Sequence, residues 1–358
     1  MRRLVPLEVK PGGWGGGAGV AIELASLASD RMVVDAVVAK YCDHVPLYRQ
    51  SAMLGRDAGV EISRATLDGW VMRVGELLQP LALAMGRGLR GADYLQADET
   101  PVWVQMHDRR GSNRQAWLWQ YSRPEGEAVF DFRLGRGRDG PREFLGGYSG
   151  ILQTDGYAAY DGLGGAGLVH AACCAHARRK FVEALKANPA DAAAALAVAR
   201  MDALFALDRQ ARDRGLDHAA RHQLRRREAP ALLADIRAQT EQVRGAALPA
   251  SLLAKAAHYT LALWPRLTCF LDHPALELSN NLAENSMRPV ALGRKNWIHI
   301  GSPKAAPRVA AILSVVESCR RLGVSPRAYL AEVLPGLAAR PLAALAQLTP
   351  ANWRAARS

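Results

Sequence analysis

Apolar residues in the first third of the chain recur at helical spacing. In "DRMVVDAVVAKYC" (30–42) they fall three and four positions apart, and Asp30 stands where an N-cap belongs. "PLYRQSAMLGRDAGVEISRATLDGWVMRVGELL" (46–78) divides in two. Leu47–Asp57 reads as a helix ended by Gly59, and a second helix follows a short turn with Ser63 as its cap. Helix, glycine-containing turn, helix is the arrangement of a helix-turn-helix, and equally of an ordinary helical hairpin. In the first case Arg64, Ala65, Thr66 and Asp68 would face the major groove of DNA.

From residue 91 the period shortens to two. "YLQADETPVWVQM", "QAWLWQYS" and "EAVFDFRL" read as three strands of an antiparallel meander, the last two separated by a turn with Pro124 and Gly126. "GPREFLGGY" predicts a short helix with Pro141 near its first turn, "GILQTDG" a buried strand, "YAAYDGL" a helical turn and "GLVHAACC" a fifth strand. The chain then stays helical for about 100 residues. This order predicts an α/β fold with a ribonuclease-H-like mixed sheet followed by a long helical stretch and preceded by a helical helix-turn-helix region. The expected segments are a flexible Gly-rich leader (1–19), the helix-turn-helix region (20–90), a first part of the ribonuclease-H-like core (91–181), the long helical stretch (182–275), the last part of the core (276–335) and a C-terminal tail (336–358).

Composition adds a partner. The 358 residues are 49% hydrophobic and 22% charged, and the net charge is +12. A field of that sign attracts polyanions, nucleic acid first among them. No window holds the roughly 18 uninterrupted apolar residues of a membrane span, and no signal peptide opens the chain. Five cysteines without regular spacing argue against a disulfide framework. The expected location is cytoplasmic, with the nucleoid as the site of any DNA-bound fraction.

Three acids stand out against this frame. Asp98 lies in the first strand, Asp155 closes the fourth, and Glu284 lies near the start of a helix in "LSNNLAENSMRPVALGRKNW" (278–297). An aspartate directly after a buried strand needs compensation, and a divalent cation supplies it. Taken singly, each Asp also suits a turn and Glu284 a capping box counted from Asn281. Cations surround them: "HARRKF" contributes His176, Arg178, Arg179 and Lys180, and the Glu284 segment contributes Arg288, Arg294 and Lys295 beside Trp297. Such residues clamp a DNA backbone or simply form a solvated basic face. His170, Cys173, Cys174 and His176 are poorly spaced for zinc, since adjacent cysteines converge badly on one ion. Packing and orienting the site is the role expected of Cys173 and His176.

Six blocks in one order carry a resemblance: "KYCDHVPLYRQSAMLGRDAGVEISRATLDGWV", "ADETPVWV", "LQTDGYAAYD", "CCAHARRKF", "NNLAENSMRPVALGRKNW" and "LTPANW". From about residue 32 to its end the chain resembles the transposases of the insertion sequence 66 family. The resemblance implies a DDE-type enzyme with a ribonuclease-H-like catalytic core, in which Asp98, Asp155 and Glu284 meet and hold Mg²⁺, or Mn²⁺ in its place, and in which 182–275 is a long helical insertion before the last acid. It also implies double-stranded DNA as substrate (transposon ends and target), a homo-oligomer on that DNA, and accessory proteins of the same element. Two departures accompany it. The first 31 residues hold no cysteine where the family usually has a cysteine-rich, zinc-binding stretch, so the resemblance implies an N-terminally truncated copy. Ser279 stands where an aspartate is usual before the two asparagines. A DNA-binding remnant without catalysis and a ribonuclease-H-like nuclease remain the competing expectations.

Overall fold

Ser29, not Asp30, caps the first helix: its side chain accepts from the Met32 amide, and Asp30 is the first helical residue. A carboxylate there still lies at the positive end of the helix dipole, so the acid contributes without capping. The computed structural model describes residues 28–106 and 112–357. The Gly-rich leader expected over 1–19 lies outside the described residues.

The elements run α1 (Asp30–Tyr41), α2 (Leu47–Ala58), α3 (Arg64–Arg90), β1 (Tyr94–Gln105), β2 (Asn113–Ser122), β3 (Ala128–Arg133), α4 (Asp139–Leu145), β4 (Ile151–Thr154) and β5 (Val169–Ala172). Then come α5 (Cys174–Ala187), α6 (Ala192–Asp213), α7 (His218–Ala246), α8 (Leu252–Ala262) and α9 (Trp264–Thr268). The last elements are α10 (Asn281–Trp297), β6 (His299–Ile300), α11 (Ala306–Arg321), α12 (Pro326–Val333) and α13 (Pro350–Ala355). The fold is α/β with a mixed sheet in the order β3-β2-β1-β4-β5. β2 and β3 pair antiparallel, whereas β4 runs parallel to both β1 and β5. β6, which pairs parallel with β1, went unforeseen because two residues are too few to show a period.

The chain forms two compact units. One contains the described residues up to Ala92 together with Glu99–Phe144 and those from Asn285 onward. Here the expected α2–turn–α3 arrangement is present: Gly59 ends α2 in the left-handed conformation (φ 63°), and the Ser63 hydroxyl accepts from the Thr66 amide to start α3. α11 is the central helix, buried from Val309 through Cys319 on all sides. It also covers the outer edge of β3. The Ser318 hydroxyl accepts from Ala128 N and donates to Ala128 O, and the Ser314 hydroxyl accepts from Phe130 N at 2.8 Å. Two serines thereby satisfy backbone groups that an open sheet edge would leave to another chain.

The second unit contains Asp93–Asp98 and Leu145–Glu284: the start of β1, then β4, β5, α5–α9 and the first residues of α10. Its core joins Ala171 and Ala172 of β5 to Phe181, Met201, Leu204, Leu224, Leu233 and Ile236 of the helices. The helices expected over 182–275 are there, although α5 already begins at Cys174. Glu99–Phe144, expected to belong to the first part of the core, groups with the N-terminal helices.

Close helix packing in the first unit makes a test. A Cβ on Gly75 of α3 would stand 2.7 Å from the Arg308 Cβ and 2.8 Å from its carbonyl oxygen. Gly75→Ala should lower stability by about 1–3 kcal/mol through overpacking, despite the better helix propensity of alanine. Urea denaturation measures it.

Candidate functional site

β1 and β4 carry the same Leu-Gln-x-Asp pattern, Leu95 to Asp98 and Leu152 to Asp155. The strands pair in register, Leu95 opposite Leu152 and Gln96 opposite Gln153. Asp98 lies two residues further along β1, where alternation returns it to the face of Gln96, and Asp155 is the first residue beyond the end of β4. Both glutamines are fully buried, and their polar atoms need partners. Tyr94 Oη donates to Gln153 Oε1, Gln96 Nε2 donates to Ser279 O at 3.0 Å, and Gln153 Nε2 donates to Glu277 O at 2.7 Å. The glutamine face of the sheet is thus covered by the segment that leads into α10.

That segment delivers Glu284. Asn280 Nδ2 donates to Ala97 O, beside Asp98, and the first helical residue follows as Asn281. Glu284 is therefore the fourth helical residue, one beyond the third position that a capping box uses. Its amide bonds back to Asn280 O at 3.2 Å. Its carboxylate turns to α5, with Oε1 3.3 Å from His176 Nε2 and both oxygens within reach of Arg179 Nη2 at 3.3 and 3.1 Å. Burial lowers the His176 pKa, while Glu284 and, more weakly, Asp155 favour its charged form. Two of the three acids thus act on one imidazole. Among the described residues, no group of three or more His, Cys, Asp or Glu side chains is arranged to hold a metal ion. The three carboxylates are not closed into a ready-made cage.

The cations have protein partners of their own. Arg178 forks onto Asp202 of α6 at 2.6 and 3.0 Å, and Lys180 Nζ lies 4.6 Å above the Tyr259 ring. In the other unit, Arg294 donates to Thr100 Oγ1 and Pro101 O, fastening α10 to β1. Arg288 lines a cleft of about 970 Å³ with His44, Arg320 and Arg327, and Lys295 is exposed. Arg64 is exposed at the first position of α3, where its charge adds to the helix dipole, while the Thr66 hydroxyl bonds to Ser63. Cys173 and Cys174 are buried, and burial raises both thiols, Cys173 to about 11. They are neutral packing groups near pH 7.

Residues absent from the sequence-based expectations surround Asp155. The Tyr259 hydroxyl of α8 donates to the Asp155 carbonyl. The Asp155 carboxylate accepts from Tyr157 N at 2.8 Å, and Gly156 adopts φ 91°. Beneath them His170 Nε2 lies 3.0 Å from Thr154 Oγ1, and its Nδ1 is 3.6 Å from Asp161, which Arg266 also holds. No local sequence signal discloses this layer, since Tyr259 and Arg266 lie more than 100 positions from the groups they bond.

A family model described as "Transposase IS66 family" matches residues 25–308, a span that includes all three acids. The chain belongs to the IS66 transposase family. Two proteins of Sinorhizobium fredii (strain NBRC 101917 / NGR234) are similar to it. "Uncharacterized protein y4qI" is 32% identical over 92% of this chain and 64% of its own length. "Uncharacterized protein y4hP" is 32% identical over 88% and 61% respectively. The chain therefore spans less than two thirds of the length of either relative.

His170 gives this IS66-family chain a pH signature. Burial, aided by Arg266, lowers its pKa to about 4 against the opposing pull of Asp161 and Asp155. Between pH 6.5 and 4 the unfolded chain binds the extra proton and the folded chain does not, so stability falls as pH falls through that window. The contribution is on the order of 2–3 kcal/mol. Thermal melts of His170→Gln should lose less stability over this window than the unsubstituted chain.

Proposed function

We propose that this chain is a DDE-type transposase with a ribonuclease-H-like core, cutting transposon DNA ends and joining them to target DNA. The observation that supports the reading is the in-register pairing of Leu95-Gln96 with Leu152-Gln153, which lays the two Leu-Gln-x-Asp segments side by side, with Asp98 within β1 and Asp155 directly after β4. The covering segment starts α10, with Glu284 on its first turns. The strand order β3-β2-β1-β4-β5 supports the ribonuclease-H-like assignment.

Asp98, Asp155 and Glu284 are the residues that would hold a divalent ion, and their carboxylate oxygens are the hard donors that magnesium prefers. Bound there, Mg²⁺ or Mn²⁺ supplies charge neutralisation at the phosphate and activates the attacking oxygen. In cutting, water attacks phosphorus and the bond to the 3′ oxygen breaks, releasing a 3′-hydroxyl. In joining, that hydroxyl attacks a target phosphodiester and displaces the target's own 3′ oxygen. The chain's residues orient both reactions. Tyr259 fixes the backbone of Asp155, and Arg179 places positive charge beside Glu284, with His176 in contact with both. Arg64 and the dipole of α3 favour phosphate binding at the helix-turn-helix.

A DNA-binding role without catalysis is the second reading. The Arg179–Glu284 pair favours it, since it occupies one of the three acids with a side-chain cation. An end-joining assay with Mg²⁺ or Mn²⁺ separates the two. Asp98→Asn, Asp155→Asn and Glu284→Gln should each reduce cutting and joining by about a hundredfold or more, as expected for groups acting in the transition state. Their DNA affinity should stay unchanged. Arg64→Ala should instead weaken DNA binding and lower its salt dependence by about one phosphate contact. Binding by the unsubstituted chain with neither cutting nor joining would establish the second reading.

A further inference from the structure

The segment from 274 to 280 is gripped from two sides within the second unit. From α7, Arg221 donates to Pro274 O at 3.4 Å and Arg225 to Leu276 O at 2.7 Å. From the sheet and α5, Gln153 donates to Glu277 O, Cys174 N to Leu278 O at 2.9 Å, and Gln96 to Ser279 O. Five carbonyls within six residues are thus held by groups outside the segment. Glu277 is where the two grips meet. Its amide donates to the Tyr94 hydroxyl at 3.3 Å, its carbonyl accepts from Gln153, and its carboxylate takes Arg221 at 2.8 Å and Arg212 of α6. Burial alone would raise the Glu277 carboxyl, but Arg221, Arg212 and Arg225 outweigh it, so the group is held ionised.

We infer that Glu277 is a positioning residue through which the helices α6 and α7 fix the first turn of α10, and with it the Glu284 carboxylate. This rests on the proposed role of Glu284 in holding the divalent ion. The helical insertion then acts as part of the site: its arginines set where the third carboxylate starts. The network is not explained by stability alone. Burying Arg225 against Asp208, with both side chains under 5% exposed, contributes little net stability compared with apolar packing, whereas such pairs do fix register. Here the register being fixed is that of a seven-residue segment ending at Asn280, whose side chain reaches the carbonyl next to Asp98.

The test uses the full chain and Glu277→Gln, which keeps shape and removes charge. Hydrogen exchange followed by mass spectrometry should show faster exchange at the Ala283 and Glu284 amides, with α3 and α11 unchanged. Half-saturating Mn²⁺, measured by calorimetry, should rise about tenfold, the usual cost of losing a group that supports a metal ligand. DNA affinity should stay the same. Arg237→Gln, which breaks an exposed pair with Glu241 on α7, should change none of these. If Glu277→Gln does not fold, Arg212→Gln removes the exposed partner alone and is read in the same way. Unchanged exchange at α10, or a uniform increase throughout the chain with Mn²⁺ affinity intact, overturns the inference. Failure of the unsubstituted chain to bind Mn²⁺ or cut DNA counts against the proposed activity, and the exchange comparison still decides the positioning role.

Discussion

Two buried glutamines govern the second unit. Gln96 and Gln153 face each other across β1 and β4, and both are fully buried. A buried amide without partners costs about 1–3 kcal/mol, so two of them on adjacent strands demand a backbone segment laid across the sheet. The segment ending at Asn280 meets the demand of the two Nε2 donors with the carbonyls of Glu277 and Ser279. Because the glutamines sit two residues before the aspartates, the polar requirement of the core and the location of the acids are one constraint. The covering segment cannot slide along the strands without orphaning an amide.

The same segment explains why helices so rich in arginine pack here. Arg225 is buried and burial lowers its pKa, yet Asp208 beside it and the Leu276 carbonyl satisfy its donors. Arg221 and Arg212 do the same for Glu277. Each guanidinium is a rigid planar fork, so the directions of its bonds are fixed once the helix is placed. Apolar contacts would hold the segment as firmly and locate it less sharply. Asp155 is fastened separately, through its carbonyl by Tyr259 and through its own carboxylate by the Tyr157 amide.

Much of the element order could be read from the chain. Strand period and turn residues located β1 to β5, and Gly59 and Ser63 marked the joint between α2 and α3 because each acts through local backbone chemistry. What stayed hidden was non-local. Nothing within a few residues of Gln153 tells that its partner is Glu277, 124 positions away. Glu284 was ambiguous for a related reason. Whether it caps its own helix or reaches another element depends on a helix start that moved by one residue, and the pull of Arg179 and His176 comes from α5. The cationic motifs were ambiguous in another way: Arg178 and Arg294 suit phosphate clamps by type, and each also has a partner within the protein that no local pattern announces.

The restraints on the acids differ in kind. Asp98 is carried by the middle of a paired strand, Asp155 by a pinned turn, and Glu284 by a helix whose start is fixed although its side chain is long and turned toward Arg179. That ion pair is only partly buried, with Arg179 about half exposed. A pair of this sort contributes about 0–1 kcal/mol, and salt weakens it further. Under the proposed activity such a pair would oppose ion binding only weakly, because it is solvated, screened, and held at the end of one flexible side chain.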